Sequence, residues 1–274
     1  MKKAKVLFVS QEITPYLDET PISKISRKLP QGIQERGREI RTFMPRYGNV
    51  NERRNQLHEV IRLSGINIII NDTDQPLIIK VASIQSARMQ VYFIDNEEYF
   101  NRKTTLFVKG DEMHADNDER TIFFNRGVIE TVKKLGWTPD IIHCHGWFTG
   151  LMPLYIKKAL KDDPAFADTK VVYSVYNDDF NGSLNKDFNK KLKLEGITDK
   201  DINVTKDPSF INLTKLAIDQ ADGVIIGSEN INPEITKYLK GINKPVLDFK
   251  GEGEYIDAYN SFYDEVLVEE PVLA

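Results

Sequence analysis

Short apolar runs along this chain alternate with segments whose apolar residues recur at helical spacing. Residues Lys5–Ser10 form a continuous apolar run with β-branched and aromatic members, which is typical of a buried strand. Residues 39–44 are predicted to form the second strand. Between them, one face of a predicted helix carries Ile22, Ile25, Leu29 and Ile33. The chain therefore opens β-α-β, which is the unit of a parallel sheet with right-handed crossovers.

The limits of this first helix are marked by residues with local chemistry. Thr20 is a good N-cap, and Pro21 suits the first helical position. Gly37 suits the C-terminal end, where a left-handed backbone is common. Pro30 lies inside the helical pattern and has no N–H to donate, so it predicts a kink or an early break.

The middle of the chain has a different pattern. Residues 59–70, 77–83 and 90–94 have the composition of strands, but no helical pattern separates them. Residues 71–74, Asn-Asp-Thr-Asp, are typical of a turn. We therefore expect antiparallel hairpin or meander pairing across residues 59–94.

Regular alternation returns after residue 117. Strands are predicted at 140–143, 170–175 and 223–227, and helices at 118–135, 147–160, 207–221 and 232–239. Residues 177–206 are rich in Asn, Asp and Lys and are predicted to form a long surface loop. A last helix is predicted at 252–267, where helical spacing relates Tyr255, Ile256, Tyr259, Phe262, Tyr263 and Val266. The whole pattern predicts a doubly wound α/β fold with a mainly parallel sheet and an added antiparallel region.

Composition narrows the function classes. The 274 residues are 41% hydrophobic and 28% charged, with a net charge of −4, which gives no electrostatic reason to expect a nucleic-acid partner. No run approaches the roughly 20 apolar residues of a membrane helix, so no membrane association is expected. Cys144 is the only cysteine, so no disulfide can form within the chain. This suits a reducing compartment, and we expect a cytoplasmic protein.

Motifs for metal, cofactor or nucleophilic chemistry are weak. His143 and His145 would point to one face of a strand, but a structural zinc site needs about four ligands and no second cysteine exists. No Ser-His-Asp order, Walker A loop or GxGxxG pattern is present. We therefore expect no bound metal, no cofactor and no catalytic residue.

Five strings occur in one order and carry a resemblance. Residues 6–12 read VLFVSQE, 43–48 read FMPRYG, and 91–95 read VYFID with EYF at 98–100 and then Arg102. Residues 139–145 read PDIIHCH with Trp147 after them, and Ala221-Asp222 is followed by Ser228. Together they resemble the starch/glycogen synthase family of GT-B glycosyltransferases, whose patterns are a first strand ending in Ser-Glu, MPRYG, VYFID…EYF.R, PDIVHCHDW and AD…VS. The resemblance spans about residues 4–240.

This resemblance implies a domain organisation. Members have two Rossmann-like domains that face a cleft; the first holds the acceptor glucan and part of the sugar site, and the second binds most of the ADP-glucose. Residues 1–240 are expected to be the first, Rossmann-like domain of a GT-B fold. Residues 241–274 are expected to be a linker and a C-terminal helix that packs back on that domain. We expect that the second domain is absent and that it was lost between about residues 240 and 250.

The resemblance also identifies a changed phosphate loop. The family pattern KTGGL aligns with residues 18–22, where lysine is replaced by Asp18, with Glu19 after it, and the glycine pair by Thr20-Pro21. Carboxylates suit a helix N-terminus but repel a diphosphate. Proline offers no N–H to an anion. The loop is therefore expected to be degenerate.

Four further positions are candidates for substrate binding by family position. His145 and Trp147 fall on the family's HDW, whose Asp is Gly146 here. Tyr176 and Asn177 fall on the family's HN, whose histidine contacts the transferred sugar. Tyr176 can stack on a sugar ring, or it can be an aromatic residue at the edge of the core.

Three functions remain open on these residues. The first is a non-catalytic, single-domain relative that binds a glucan, a sugar or a protein partner of glycogen metabolism. The second is one half of a split synthase that transfers glucose from ADP-glucose to an α-1,4-glucan. The third is a structural oligomer without a ligand. Charged residues near the cleft predict a polar surface there, namely Asp18, Glu19, Lys24, Asp178 and Asp179. We therefore expect a monomer or a small dimer.

Overall fold

Residues 3–268, which this computed structural model describes, contain a large mixed sheet and a small hairpin. The strands are β1 (Lys5–Ser10), β2 (Glu39–Pro45), β3 (His58–Glu59), β4 (Ile66–Ile70), β5 (Thr73–Ile84), β6 (Met89–Asp95), β7 (Phe107–Lys109), β8 (Glu112–Met113), β9 (Ile141–His145), β10 (Lys170–Val175), β11 (Gly223–Ile226) and β12 (Val246–Leu247). The helices are α1 (Pro21–Glu35), α2 (Glu97–Phe100), α3 (Asn117–Leu135), α4 (Met152–Leu154), α5 (Phe188–Lys191), α6 (Phe210–Gln220), α7 (Pro233–Leu239) and α8 (Tyr255–Val268).

The strand order of the main sheet is β12-β11-β10-β9-β1-β2-β6-β5-β3. All neighbours from β12 to β6 are parallel, with Val6 opposite Ile40 on one side and Ile141 on the other. The predicted α/β fold with a mainly parallel sheet is confirmed. The chain leaves β1 toward β2 first and later returns to β9 on its other side, so the order reverses at β1.

The predicted antiparallel region is present, but the prediction of one of its strands is wrong. The single strand expected at 59–70 is two strands, β3 and β4, which pair with different parts of β5. Between them the chain turns at Gly65, whose φ of +84° favours glycine. Ser64 holds the turn, since its hydroxyl donates to the Val60 carbonyl and accepts from the Ile79 N–H.

Local signals identified the start of α1 correctly but misjudged its interior. Thr20 is the N-cap, and its hydroxyl accepts from the Ser23 N–H at 3.0 Å. An early break at Pro30 is wrong, because the helix continues to Glu35. Leu29 and Ile33 on this stretch are completely buried, and this packing outweighs the missing hydrogen bond.

Two other segments differ from expectation. The helix predicted at 147–160 is a 3₁₀ turn (Trp147–Thr149), then α4, then a π-helical turn (Tyr155–Ala159). Pro153 in α4 has no N–H for a regular ladder. The surface loop predicted at 177–206 contains α5 and fully buried side chains, including Phe188 and Ile202. Its few apolar residues are spread among polar ones, so the sequence pattern did not predict that they are buried.

Helices cover both faces of the sheet. Alternate strand residues, such as Val6, Ile141 and Val172, pack with α1 and α8 on one face. Their neighbours Leu7 and Ile142 pack in the larger core that includes α3, α4 and α6. Helix α8 buries Tyr255, Tyr259, Phe262, Tyr263 and Val266. Across residues 3–268, no helix is long and apolar enough to cross a membrane.

Candidate functional site at the strand ends

A cleft of about 520 Å³ lies where the parallel strands end. Its walls are residues 11–12 after β1, 176–178 after β10 and 227–230 after β11, together with residues 20–22 and Phe249. In open α/β sheets, ligands bind at the carboxyl ends of the strands near the reversal of strand order. This cleft has that position, beside β1. We call it the strand-end cleft.

The start of α1 forms one wall, and its polar groups already have partners within the chain. The Thr20 hydroxyl donates to the Glu12 carboxylate. Ser23 completes a capping box, since its hydroxyl accepts from the Thr20 N–H at 2.8 Å. Pro21 has no N–H. This helix end therefore offers little to an anion, although an uncapped helix N-terminus is a common phosphate site.

Asp18 and Glu19 do not line the strand-end cleft. Both are exposed, and Glu19 forms an ion pair with Lys24 at 3.0 Å. Of the four positions of the changed phosphate loop, the structure brings Thr20 and Pro21 to the cleft and leaves these two carboxylates outside it.

Tyr176 closes the floor of the cleft. Its hydroxyl lies 2.7 Å from Nδ1 of His145, and its ring packs on Gly227. A Cβ at position 227 would be 2.5 Å from that ring, so the ring occupies the space of a side chain. The family pattern has valine at 227 and histidine at 176. The two changes fit each other sterically.

His145 lies beneath Tyr176 and is completely buried. Burial lowers the pKa of its imidazole to about 3, so the ring is neutral at ordinary pH. Its neighbour His143 is also buried, with its two ring nitrogens 2.6 Å from the Tyr263 hydroxyl and 2.7 Å from the Ser174 hydroxyl. Within residues 3–268, no group of three or more His, Cys, Asp or Glu side chains is arranged to hold a metal ion.

Gln11 and Gly146 form a second fitted pair. Gly146 has a φ of +86°, and a Cβ there would be 2.2 Å from Oε1 of Gln11. That oxygen accepts from the Phe148 N–H at 3.2 Å. The aspartate of the family pattern at position 146 would therefore require the Gln11 side chain to move.

Trp147 and Asn177 differ in their access to ligands. Trp147 is buried, packs on Phe180 with ring centroids 4.7 Å apart, and does not line the cleft. The backbone N–H of Trp147 donates to the Asp178 carboxylate at 2.9 Å. Asn177 is exposed at the cleft, and its own N–H donates to the Ser228 hydroxyl.

Charge in the strand-end cleft is negative. Glu12, Asp178 and Glu229 line it, whereas none of its lining residues is Lys or Arg. Burial raises the pKa of Asp178 to about 7, and Asp179 and Glu12 add to this. Burial also raises the pKa of Glu12. Sequence reasoning placed Asp178 at this face but missed Glu12, Glu229 and Phe249. For the two glutamates, the signal available was their position directly after predicted strands.

Comparison with known proteins agrees with this architecture. The family model described as "Starch synthase catalytic domain" matches residues 5–245. The chain belongs to the starch synthase catalytic domain family. It is 42% identical over 176 residues to a glycogen synthase from Chlorobium limicola, covering 63% of this chain and 36% of that protein. It is 34% identical over 235 residues to a glycogen synthase from Chlorobium phaeovibrioides, covering 85% and 47%.

One solved structure is similar in fold. It is the catalytic domain of starch synthase IV from Arabidopsis thaliana bound to ADP and acarbose, with a TM-score of 0.68 and 18% identity. The match covers 96% of this chain and 50% of that one. The chain thus spans between about a third and a half of the relatives that it matches.

Proposed function

We propose that this chain is a non-catalytic member of the family. It binds a glucan or a sugar in glycogen metabolism, either by itself or together with a protein partner. The observation that carries the proposal is the strand-end cleft, which holds three carboxylates and no cation. The ionised carboxylates repel a phosphate, since a like-charge contact at about 5 Å costs on the order of 3 kcal/mol at an effective dielectric near 20. The raised pKa values of Asp178 and Glu12 reduce this penalty near neutral pH. A neutral sugar meets no such penalty and can use the Asn177, Ser228 and Asn230 side chains.

The packing of Tyr176 on Gly227 and of Gln11 on Gly146 supports the loss of glucose transfer. Tyr176 holds His145 by a hydrogen bond and fills the space above Gly227. Gln11 fills the space at Gly146, where the family pattern has an aspartate. Removing one donor to a developing charge typically costs about 10²–10³ in rate, and here several groups are changed together.

The proposal includes the domain organisation and the location. Residues 1–240 form a Rossmann-like GT-B domain, and a linker leads to α8, which packs back on that domain. The burial of α8 against α1 and the sheet supports this organisation. The fully buried Cys144, without a second cysteine, supports a cytoplasmic location.

Transfer of labelled glucose from ADP-glucose to glycogen tests the loss of catalysis. We expect no incorporation by the pure protein, while a two-domain glycogen synthase in the same assay gives a strong signal. Clear incorporation by the pure protein contradicts the proposal. Incorporation only after addition of cell extract, lost in Tyr176→Ala, would instead establish one half of a split synthase.

Calorimetry tests the ligand. We expect maltotriose to bind and ADP not to bind. Asn177→Ala should weaken maltotriose binding several-fold, whereas Asn243→Ala, at an exposed position outside the cleft, should not change it. Binding of ADP, or maltotriose binding that is insensitive to Asn177, would contradict the assignment of the cleft. Failure of both ligands to bind would favour a structural oligomer.

A further inference from the structure

A second cavity, of about 600 Å³, lies away from the strand ends and shares no lining residue with the strand-end cleft. The loop after β1 contributes Tyr16 to it, the segment before β3 contributes Arg54 and Gln56, and the end of β5 with the turn after it contributes Ser83, Gln85 and Ser86. We call it the Tyr16 cavity. Its volume is in the range of small-molecule sites.

The chemistry of the Tyr16 cavity is opposite to that of the strand-end cleft. None of its described lining residues carries a carboxylate, while Arg54 and His58 line it. Arg27 of α1 reaches its wall, since Nη2 donates to the Ser86 hydroxyl at 3.1 Å. Nη1 of Arg27 donates to Oε1 of Gln31 at 2.8 Å, and among the described residues neither Arg27 nor Arg54 forms an ion pair with a carboxylate.

Tyr16 supplies a polar atom without a partner. Its side chain is 6% exposed, and its ring packs edge-on against Phe93. Its hydroxyl is buried and has no hydrogen-bond partner within residues 3–268. Leaving a buried hydroxyl unpaired costs about 1–3 kcal/mol, so such groups usually mark a missing partner. Arg27 lies near enough to act electrostatically on this phenol.

The backbone conformation of Gln56 also indicates a constrained site. Gln56, which lines the Tyr16 cavity, has a φ of 53°, in the left-handed region that favours glycine. Non-glycine residues held in this region are concentrated at ligand sites. Together with Ser83 and Gln85, it gives the cavity a neutral hydrogen-bonding wall that suits hydroxyl groups.

We propose that the Tyr16 cavity binds a phosphorylated sugar. The phosphoryl group accepts hydrogen bonds from the Tyr16 hydroxyl and from the Arg27 and Arg54 guanidiniums, and the sugar hydroxyls meet the amide and hydroxyl side chains of Gln56, Ser83 and Gln85. Guanidinium groups are the side chains best suited to phosphate, because they present several donors in a plane. This site is independent of the one proposed at the strand ends.

Calorimetry with glucose 6-phosphate, glucose and inorganic phosphate tests the assignment on the full chain. We expect glucose 6-phosphate to bind at least about tenfold more tightly than either glucose or inorganic phosphate, since it alone engages both walls. Arg27→Gln and Arg54→Gln should each weaken its binding by about tenfold. The matched controls Lys24→Gln and Arg53→Gln remove the same charge from exposed neighbours whose side chains neither line the cavity nor bond to a residue that lines it, and they should leave binding unchanged.

Tyr16→Phe separates a ligand role from a structural one. It removes the unpartnered hydroxyl, so the free protein should keep its thermal stability or gain some, while glucose 6-phosphate binding weakens about tenfold. Absence of glucose 6-phosphate binding, binding unchanged in both arginine variants, or binding unchanged in Tyr16→Phe would overturn the proposal. Asn177→Ala should leave glucose 6-phosphate binding intact, which distinguishes this site from the strand-end cleft.

Discussion

Gly227 and Gly146 shape the strand-end cleft through the side chains they make room for. The Tyr176 ring packs on the first, and the Gln11 amide packs on the second. In each pair the larger residue occupies space that a Cβ on the glycine would take. Protein interiors are close-packed, so each member of a pair restricts what the other can be.

Gly227→Val should therefore destabilise the protein by about 1–3 kcal/mol, the usual range for overpacking. In a Tyr176→Ala background the same substitution should cost less, because the ring is gone and the two sites are coupled. Urea unfolding of the four proteins measures this coupling. Gly251→Val is the control, since nothing lies within 4 Å of a Cβ at that position. Equal costs in both backgrounds would show that the ring and the glycine do not constrain each other.

Asp178 makes stability depend on pH. Its pKa is about 4 in an unfolded chain and is raised to about 7 in the fold. Between these values the folded state binds the extra proton, so stability is greatest below about pH 4 and falls as pH rises to about 7. Glu12, whose pKa is also raised, acts in the same direction.

Asp178→Asn should flatten this fall by on the order of 1–3 kcal/mol, with partial exposure of the carboxyl reducing the effect. The amide oxygen can still accept from the Trp147 N–H. The measurement is the free energy of unfolding at several pH values between 4 and 8. Asp74→Asn, at an exposed position on β5, should retain the parent's slope. A parent protein that becomes more stable from pH 4 to 7, with no change in Asp178→Asn, would contradict this assignment.

At the scale of elements, α8 is a structural part of the fold. Its buried aromatic face packs with β1, β9, β10 and α1, and Tyr263 bonds to His143 in the middle of the sheet. Phe262 approaches the backbone at Gly223, where a Cβ would be 3.0 Å from its ring. The helix thus fills the layer on one face of the sheet that would otherwise meet water.

Phe262→Ala should cost about 3–5 kcal/mol, the usual range for removing a buried aromatic side chain. Ser261→Ala on the exposed side of the same helix should change stability by less than about 0.5 kcal/mol. Thermal unfolding measures both. Removal of the chain from Glu252 onward should have a still larger effect; unchanged thermal stability in that truncation would contradict a structural role for α8.

At the scale of the whole molecule, the polarity of the face around the strand-end cleft indicates which oligomeric state to expect. This face carries Asn177, Asp178, Glu229 and Asn230 around a single exposed aromatic, Phe249. Large exposed apolar patches usually mark a protein interface, and a polar face does not demand one. We predict a monomer or a small dimer. Light scattering with size-exclusion chromatography tests this, and a large assembly would contradict it.

Much of this protein was determined by its sequence alone. The β-α-β opening, the capped start of α1 at Thr20, the strand at 170–175 and the apolar face of α8 follow from periodicity and local capping chemistry, which act over a few residues. The five ordered strings indicated the family. These features are local, or they are repeated along the chain, so a linear pattern carries them.

Only the tertiary structure decided which side chains share the cleft and which are buried away from it. Asp18 and Glu19 lie two residues from Thr20 or closer, yet they point to solvent, while Glu12, Asp178 and Glu229 converge from three strand ends. The fit of Tyr176 to Gly227 joins positions that are far apart in sequence. These contacts are set by the strand order and by the way side chains pack between the sheet and the helices. Both depend on packing over the whole sheet, which no local pattern encodes.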